Sequence, residues 1–372
     1  MSDSTEQAFT DINSECFKEA FTLFKTQGDF IKITREFERS FDEKSLTQAV
    51  KALNFTVNKT QLCLLDTGIL LVEPESLVTD ISDDAAQKSI IISSGIHGNE
   101  TAPIEIVQQL VSDIITAKTK VKQRTLFIIG NPVSMNISKR FEIENLNRLF
   151  CGKYQHIDEC FEKERAQRLE SYVTDFFNQQ PTATNYHYDL HTAIRSSKYE
   201  KFAIYPYQAD KPWNKEQLSF MQDCGVSTIL FGHGPTGTFS YFSSANFNAH
   251  AFTIELGKVR AFGENDMASF AEMVKGLSAL ISQVVYNIPR FDNSKVNLFK
   301  ALGDITKETD NFTLYVDDNV SNFTDYPAGT LLAIDSGKEY RTKEEGESII
   351  FPNANVGTGQ RAALMVVPTT LK

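Results

Sequence analysis

Two short apolar runs, each stopped by glycine and each followed by a helical pattern, constrain this chain more than any other feature. Ser89–Ser93 reads SIIIS and ends at Gly95, and Leu126–Ile129 reads LFII and ends at Gly130-Asn131-Pro132. Runs of this length without polar alternation are expected as strands buried on both faces. A helix is expected from Ala102-Pro103 through IEIVQQLVSDIITA, because proline suits a first helical turn. Further strands are expected at His187–Leu190, Phe202–Tyr205, Thr228–Phe231 and Phe252–Leu256. Helical segments lie between several of them, notably Cys160–Asn178 and Asp266–Asn287. This alternation predicts an α/β domain over residues 56–289, with an open, mostly parallel sheet flanked by helices.

The flanks have a different texture. Before residue 55 the chain is charged and helical in pattern, with Phe17, Phe21, Leu23 and Phe24 at rough helical spacing. Phe55–Val57, Leu62–Leu65 and Ile69–Val72 then read as short strands. After Asn287-Ile288-Pro289-Arg290, the strands Thr313–Val316, Thr330–Ile334, Ser348–Phe351 and Ala363–Val367 are separated by Pro, Gly, Asn and Asp turns. A small all-β C-terminal domain, residues 290–372, is expected there.

Composition narrows the partners. Hydrophobic residues make up 41% and charged residues 23%, the balance of a globular enzyme and not of a disordered chain. The 28 Phe residues against one Trp show no binding-stripe spacing and read as core. The net charge of -11 repels nucleic acid and anionic lipid at long range, so neither is expected as a partner. An anionic substrate would need a local basic pocket to overcome the same field. The five Cys residues are scattered and odd in number, which fits reduced thiols better than a disulfide framework. The polar start MSDSTEQ lacks the order of a signal peptide, and no apolar run approaches a membrane span. The expected location is cytoplasmic; oligomeric state is left open.

Chemistry concentrates where the predicted strands end. Ser94-Gly95-Ile96-His97-Gly98-Asn99-Glu100 follows one strand and precedes a helix, at the edge where open α/β sheets place ligands. An imidazole and a carboxylate three residues apart can turn toward one ion, and the glycines beside them let the backbone bend. Tyr188-Asp189-Leu190-His191-Thr192 ends a second strand and would bring His191 to the same edge. Two His and one carboxylate, with a fourth position for water, is a catalytic zinc arrangement, although affinity alone does not select zinc. Asp189 shares the strand face of His191 and could orient it. Each segment alone has a bland reading: HxxE is common, and a strand-end histidine is more often packed than ligating. The pairing strengthens both. His187 and His250 read as structural, while His156 and His233 are left neutral.

Amide hydrolysis also needs a proton shuttle to the leaving nitrogen. Thr253-Ile254-Glu255-Leu256-Gly257 places Glu255 inside an apolar strand, where a carboxylate is costly unless paired or functional. Pairing with Lys258 or another cation is the bland account; beside the metal motif, a general base and acid is favoured. The segment Ser138–Phe150 supplies Arg140, Asn147 and Arg148, side chains suited to holding a carboxylate. An Arg near the metal could also stabilise a developing oxyanion. The alternative is a solvated loop with Arg paired to Glu142 or Glu144. Arg195 follows His191 by four residues and could reach the same pocket.

With these residues in hand, the chain resembles the aspartoacylase and succinylglutamate desuccinylase branch of the zinc carboxypeptidase superfamily. The resemblance rests on SSGIHGNETAPIEI, IIGNPVSMNISKRF, LNRLFCG, DLHTAIR, TIELGK and IIFPN, from about residue 90 to the C-terminus. HGNETAP with DLHTAIR and ELGK looks like the desuccinylase side of the branch. The resemblance implies a zinc-carboxypeptidase-like fold with one Zn2+ per chain on His97, Glu100 and His191, and Glu255 as general base. It further implies substrate binding by Arg140, Asn147 and Arg148, with Arg140 polarising the scissile carbonyl. The implied reaction takes N-succinyl-L-glutamate and water to succinate and L-glutamate, the last step of the succinyltransferase route of arginine breakdown. Relatives often carry Asp in a DxNR pattern where this chain has Asn145, a departure that bears on how the neighbouring Arg is held. A deacylase for another N-acyl acidic amino acid, such as N-acetylaspartate, would share the chemistry; Arg195 favours the substrate with the extra carboxylate. A silent binding protein is opposed by the intact triad and Glu255, and a peptide carboxypeptidase by the context of His97 and His191.

Overall fold

The structure, a computed structural model, describes residues 10–41, 53–75, 87–209, 211–317 and 319–371. The chain forms two compact units.

The first unit comprises Met1–His191, Thr236–Phe252 and Arg260–Ile288. Its strands are β1 (Asn54–Val57), β2 (Thr60–Asp66), β3 (Ile69–Pro74), β4 (Lys88–Ser94), β5 (Arg124–Ile129) and, up to residue 191, β6 (Thr184–Ala193). They run in the order β1-β2-β3-β5-β4-β6. The pairs among β1, β2, β3 and β5 are antiparallel, while β5, β4 and β6 are parallel neighbours. The sheet is therefore mixed, and it is parallel, as expected, where His97, Glu100 and His191 emerge. β5 is buried along its whole length and β4 from Ser89 on, as their unbroken apolar runs require.

Helices cover this sheet. Thr101–Ile115 begins one residue earlier than the proline signal placed it. Phe161–Asn178 buries Ala166, Leu169, Val173, Phe176 and Phe177, spaced three and four apart, against Ile91, Leu126 and Ile128 of the sheet. Each fully buried Leu or Phe stabilises by about 1.5–3 kcal/mol relative to exposure. Arg165, on the same helix face, is buried too. Its Nε donates to Gly130 O, just past β5, at 2.7 Å and its Nη2 to Thr67 O, in the β2–β3 turn, at 2.7 Å, while its Nη1 lies 3.7 Å from the buried Asp66 Oδ2. Near the N-terminus, helix Glu15–Gln27 is capped by Ser14 and ended by Gly28 at φ 73°. Its buried face is Phe17, Ala20, Phe21 and Phe24; Leu23, expected on that face, is 41% exposed. Two residues beyond Phe21 is about 200° around a helix, which turns Leu23 outward. The helix expected over Asp266–Asn287 is a 3₁₀ turn, Met267–Phe270, followed by an α-helix ending at Ser282. Gln283 turns extended there, and Lys122 and Gln123 N–H groups take the Ile281 carbonyl.

The second unit comprises Thr192–Pro235, Thr253–Val259 and Pro289–Lys372. It holds β7 (Phe202–Tyr205), β8 (Thr228–Phe231) and, from residue 253 on, β9 (His250–Lys258). Downstream come β10 (Asn297–Thr306), β11 (Thr313–Leu314), β12 (Thr324–Asp325), β13 (Leu331–Asp335), β14 (Lys338–Arg341), β15 (Ser348–Ile350) and β16 (Arg361–Pro368). β7, β8 and β10 are parallel neighbours, whereas β9 on β7 and β16 on β10 are antiparallel. β11, β13 and β14 form a separate small sheet. One core joins Phe202 and Leu230 to Phe299, Phe323, Ile350, Leu364 and Val366; another gathers Ile305, Leu332, Ala333, Ile349 and Ala363. The C-terminal residues are all-β, as expected.

Candidate metal centre and active site

Ser93 of β4 lies opposite Asp189 of β6 in the parallel register, so both strands deliver their C-terminal ends to one edge. β4 stops at Ser94, and Gly95 takes φ 62°, a conformation that L side chains rarely adopt. Gly98 packs directly on the short helix Pro132–Asn136: a Cβ there would sit 2.1 Å from Met135 N and 2.2 Å from Ser134 C. The turn closes with the Glu100 N–H donating to His97 O at 3.2 Å. His97 and Glu100 thus project from one tight turn immediately before helix Thr101–Ile115.

His97, Glu100 and His191 meet, all buried, with ligand atoms mutually within 4.8 Å. His97 Nδ1 is 2.9 Å from Glu100 Oε1, and His191 Nδ1 is 2.9 Å from Glu100 Oε2. The opposite ring nitrogens are engaged as well. His97 Nε2 lies 2.9 Å from Asn145 Oδ1, and His191 Nε2 lies 2.9 Å from Asp189 Oδ2. That is how metal-ligating imidazoles are oriented: one nitrogen toward the ion, the other N–H donated to an oxygen behind. Among the described residues, His97 Nδ1 is a buried polar atom with no hydrogen bond of acceptable geometry, despite its closeness to Glu100. Two imidazole nitrogens and a carboxylate, buried and facing one another, fit a zinc ion.

The surrounding charges act on all three side chains. Burial, aided by the Arg140 charge, pushes His97 down to about 4, against the pull of Glu100, so the imidazole is neutral at physiological pH. Burial alone would raise Glu100, but His97, Arg140 and His191 hold it well below the usual carboxylate range. Burial would lower His191, and the carboxylates of Asp189 and Glu100 override it upward.

Arg140 Nη1 donates to Glu100 Oε1 at 2.5 Å, which places the guanidinium directly beside the cluster. Asn147 accepts the Phe239 N–H at its Oδ1, 2.9 Å, leaving its Nδ2 at 3.5 Å from His191 Nε2. Arg148 is exposed, with Nη1 on its own neighbour's carbonyl, Asn147 O, at 2.8 Å. Glu255 and Arg195 belong to the second unit. Glu255 is buried on β9 opposite Phe202, two residues before Gly257 at φ 109°. Arg195 is half-buried, its Nη1 3.5 Å from Asp317 O. Of the remaining histidines, His250 stacks at a tilt on Tyr186, 5.4 Å between ring centroids, and His156 is exposed on a 3₁₀ turn.

Two positioning side chains escape a reading of spacing alone. Asn145 is one, through its contact with His97. Glu162 is the other: fully buried, it accepts from Asn131 Nδ2 at 3.2 Å and from the backbone N–H groups of Glu142 at 2.8 Å and Glu144 at 3.4 Å. It fastens the loop between Arg140 and Asn145 to the start of helix Phe161–Asn178. A glutamate in the first turn of a helix reads as a solvated dipole partner, and nothing local in the sequence shows that a loop covers it.

A parallel sheet edge carrying a buried His-Glu-His cluster is compatible with a hydrolase that holds a metal ion. Residues 86–281 match the model of the succinylglutamate desuccinylase/aspartoacylase catalytic domain, and residues 294–369 match the AstE/AspA barrel-sandwich hybrid domain. The chain is 46% identical over 324 residues to the succinylglutamate desuccinylase of Pseudoalteromonas atlantica, covering 86% of this chain and 90% of that one. It is 45% identical over 347 residues to the Idiomarina loihiensis protein of the same name, covering 92% and 96%. The solved succinylglutamate desuccinylase of Chromobacterium violaceum superposes with TM-score 0.75 at 34% identity, covering 92% of this chain and 98% of that one. The Vibrio cholerae structure of the same name gives 0.78 at 31%, covering 91% and 94%. The chain belongs to the succinylglutamate desuccinylase/aspartoacylase family.

Proposed function

We propose that this chain is a zinc-dependent amide hydrolase that converts N-succinyl-L-glutamate and water to succinate and L-glutamate. It would thereby complete the succinyltransferase route of arginine breakdown in the cytoplasm. The observation that carries the proposal is the buried cluster of His97, Glu100 and His191, with both back nitrogens held by oxygen acceptors. The names of the relatives, at 45–46% identity over most of the chain, support the choice of substrate. One zinc ion held by the three side chains would supply Lewis-acid chemistry, polarising the carbonyl and lowering the pKa of water.

The rest falls to this chain's own residues. Arg140 holds the carbonyl oxygen and stabilises the negative charge that develops on it. The Glu255 carboxylate takes a proton from the attacking water as its oxygen bonds to the succinyl carbon. It returns that proton to the glutamate nitrogen as the C–N bond breaks, so the leaving group departs as an amine. Asn147, Arg148 and Arg195 hold the substrate carboxylates, Arg148 and Arg195 by charge-assisted hydrogen bonds.

A panel assay tests this. The zinc-loaded full chain, given N-succinylglutamate, N-acetylglutamate and N-acetylaspartate, should show the highest kcat/KM for N-succinylglutamate by at least about tenfold, as expected for a pocket built to pair a third carboxylate, that of the acyl group. Elemental analysis should give about one zinc per chain, most of it lost in His97→Ala, as for loss of one of three protein ligands. A preference for N-acetylaspartate would move the assignment to the other arm of the family. Full zinc occupancy in His97→Ala would remove the metal assignment.

A further inference from the structure

His187, Asp189 and His191 lie at alternate positions of β6 and so project from one face of the strand. Behind the metal cluster, that face carries a continuous row of hydrogen bonds. Asp189 Oδ2 meets His191 Nε2 at 2.9 Å, and Asp189 Oδ1 accepts from Ser93 Oγ at 2.6 Å. Ser93 Oγ lies 2.8 Å from His187 Nε2, and His187 Nδ1 lies 2.7 Å from Ser243 Oγ, on helix Phe239–Phe247. Ser93, His187, Asp189 and Ser243 are all fully buried.

We propose that Ser243, His187, Ser93 and Asp189 form a one-way positioning relay that fixes the tautomer and ring orientation of His191. The proposal rests on reading His191 as a metal ligand. The direction follows from counting protons. A carboxylate can only accept, and Ser93 has a single hydroxyl proton, which goes to Asp189. Ser93 oxygen must then accept from His187, so His187 carries its proton on Nε2. His187 Nδ1 is left with a lone pair and accepts from the Ser243 hydroxyl. At the other end Asp189 accepts from His191 Nε2–H, so Nδ1 is the nitrogen turned toward Glu100 and toward the position a metal would take. With the His187 proton moved to Nδ1, Ser93 would face two acceptors with one proton, and a buried lone-pair contact at 2.6–2.8 Å would remain. Burial pushes His187 down to about 4, so it stays neutral and the count holds across physiological pH. Phe239 packs its ring against His187 at 87°, 4.7 Å between centroids, and fixes the plane in which both nitrogens point. The Phe239 N–H also holds Asn147, so one helix sets both a metal ligand and a substrate-side amide.

The experiment uses the full chain and three readouts: zinc affinity by competition with a chromophoric chelator, imidazole tautomers from long-range 1H–15N spectra, and the Tm of metal-stripped protein. Ser93→Ala should weaken zinc by about 10–100-fold, the usual effect of losing a group behind a metal ligand. Ser243→Ala should leave His187 in the Nε2–H form that Ser93 requires but unpair its Nδ1, shifting that nitrogen's 15N resonance and weakening zinc by up to about tenfold, and Ser243→Thr should restore both. Because the groups act in series, Ser93→Ala/Ser243→Ala should be no weaker than Ser93→Ala alone. A purely structural role predicts the opposite pattern: lower Tm, unchanged zinc affinity in Ser243→Ala, and losses that add. That pattern, or an Nδ1–H His187 in the wild type, overturns the relay alone. A wild type that binds no zinc overturns the metal reading and this inference with it.

Discussion

Single atoms decide the chemistry here, and His97 shows it. Its back nitrogen meets an amide oxygen, Asn145 Oδ1, where His191 meets the carboxylate of Asp189. An uncharged acceptor orients the ring but adds less to its basicity than a carboxylate does. Asn145→Asp should therefore tighten zinc binding several-fold, and Asn145→Leu should weaken it by about 10–100-fold. Chelator competition measures both, and equal affinities in all three proteins would contradict the role given to Asn145. The substrate-side residues divide differently. Arg148→Ala should mainly raise KM, with kcat little changed. Arg140→Ala should lower kcat as well, since its contact strengthens in the transition state. Steady-state kinetics on N-succinylglutamate separates the two, and wild-type kinetics in both would place the pocket elsewhere.

At the scale of elements, the site depends on how closely the turn after β4 approaches the short helix Pro132–Asn136. Gly98 is the contact point, where a Cβ would fall within 2.4 Å of Met135 N, Ser134 C and Ser134 Oγ. The obstructing atoms include backbone, so Gly98→Ala must push the turn away, at a cost of about 1–3 kcal/mol typical of overpacking. Thermal melts and zinc analysis should show a lower Tm and most of the metal lost; unchanged zinc content would mean the turn has slack. Elements also mark the limit of what sequence conveys. His97, Glu100 and His191 are legible because they sit where buried parallel strands end, and chemistry collects at such edges. The helices named from the sequence were legible from periodicity, apart from Leu23 and the early stop at Ser282; the short helices Pro132–Asn136, Lys215–Asp223 and Phe239–Phe247 were not. Asn145, Glu162 and the Ser93–His187–Ser243 row were not, because each depends on a register or a packing partner far along the chain. Ser93 meets Asp189 only through the β4–β6 register, and Ser243 meets His187 only once helix Phe239–Phe247 has docked. Alternation along β6 put His187 on the face of His191, yet a histidine bracketed by apolar and aromatic neighbours reads as packing.

For the whole molecule, the domain models divide near residue 290, but the second compact unit does not. It draws Thr192–Pro235 and Thr253–Val259 into the same body as Pro289–Lys372, and Phe202 and Leu230 share a core with Phe299, Ile350 and Val366. A chain cut after residue 291 would lose β10 from the edge of β8 and expose that core. It should aggregate or melt without a cooperative transition, whereas a soluble fragment with full zinc content and wild-type Tm would show that the upstream strands stand alone. The central claim, a metal-assisted hydrolase whose proton shuttle is Glu255, has its most direct test in one variant. Glu255→Gln keeps the shape of the side chain but cannot carry a proton through the cycle. The zinc content and substrate affinity of Glu255→Gln should equal those of the wild type, while turnover of N-succinylglutamate falls by about 10²–10⁴-fold. Near-normal turnover would contradict the account by putting the base elsewhere, and loss of zinc together with activity would contradict it by making Glu255 a ligand.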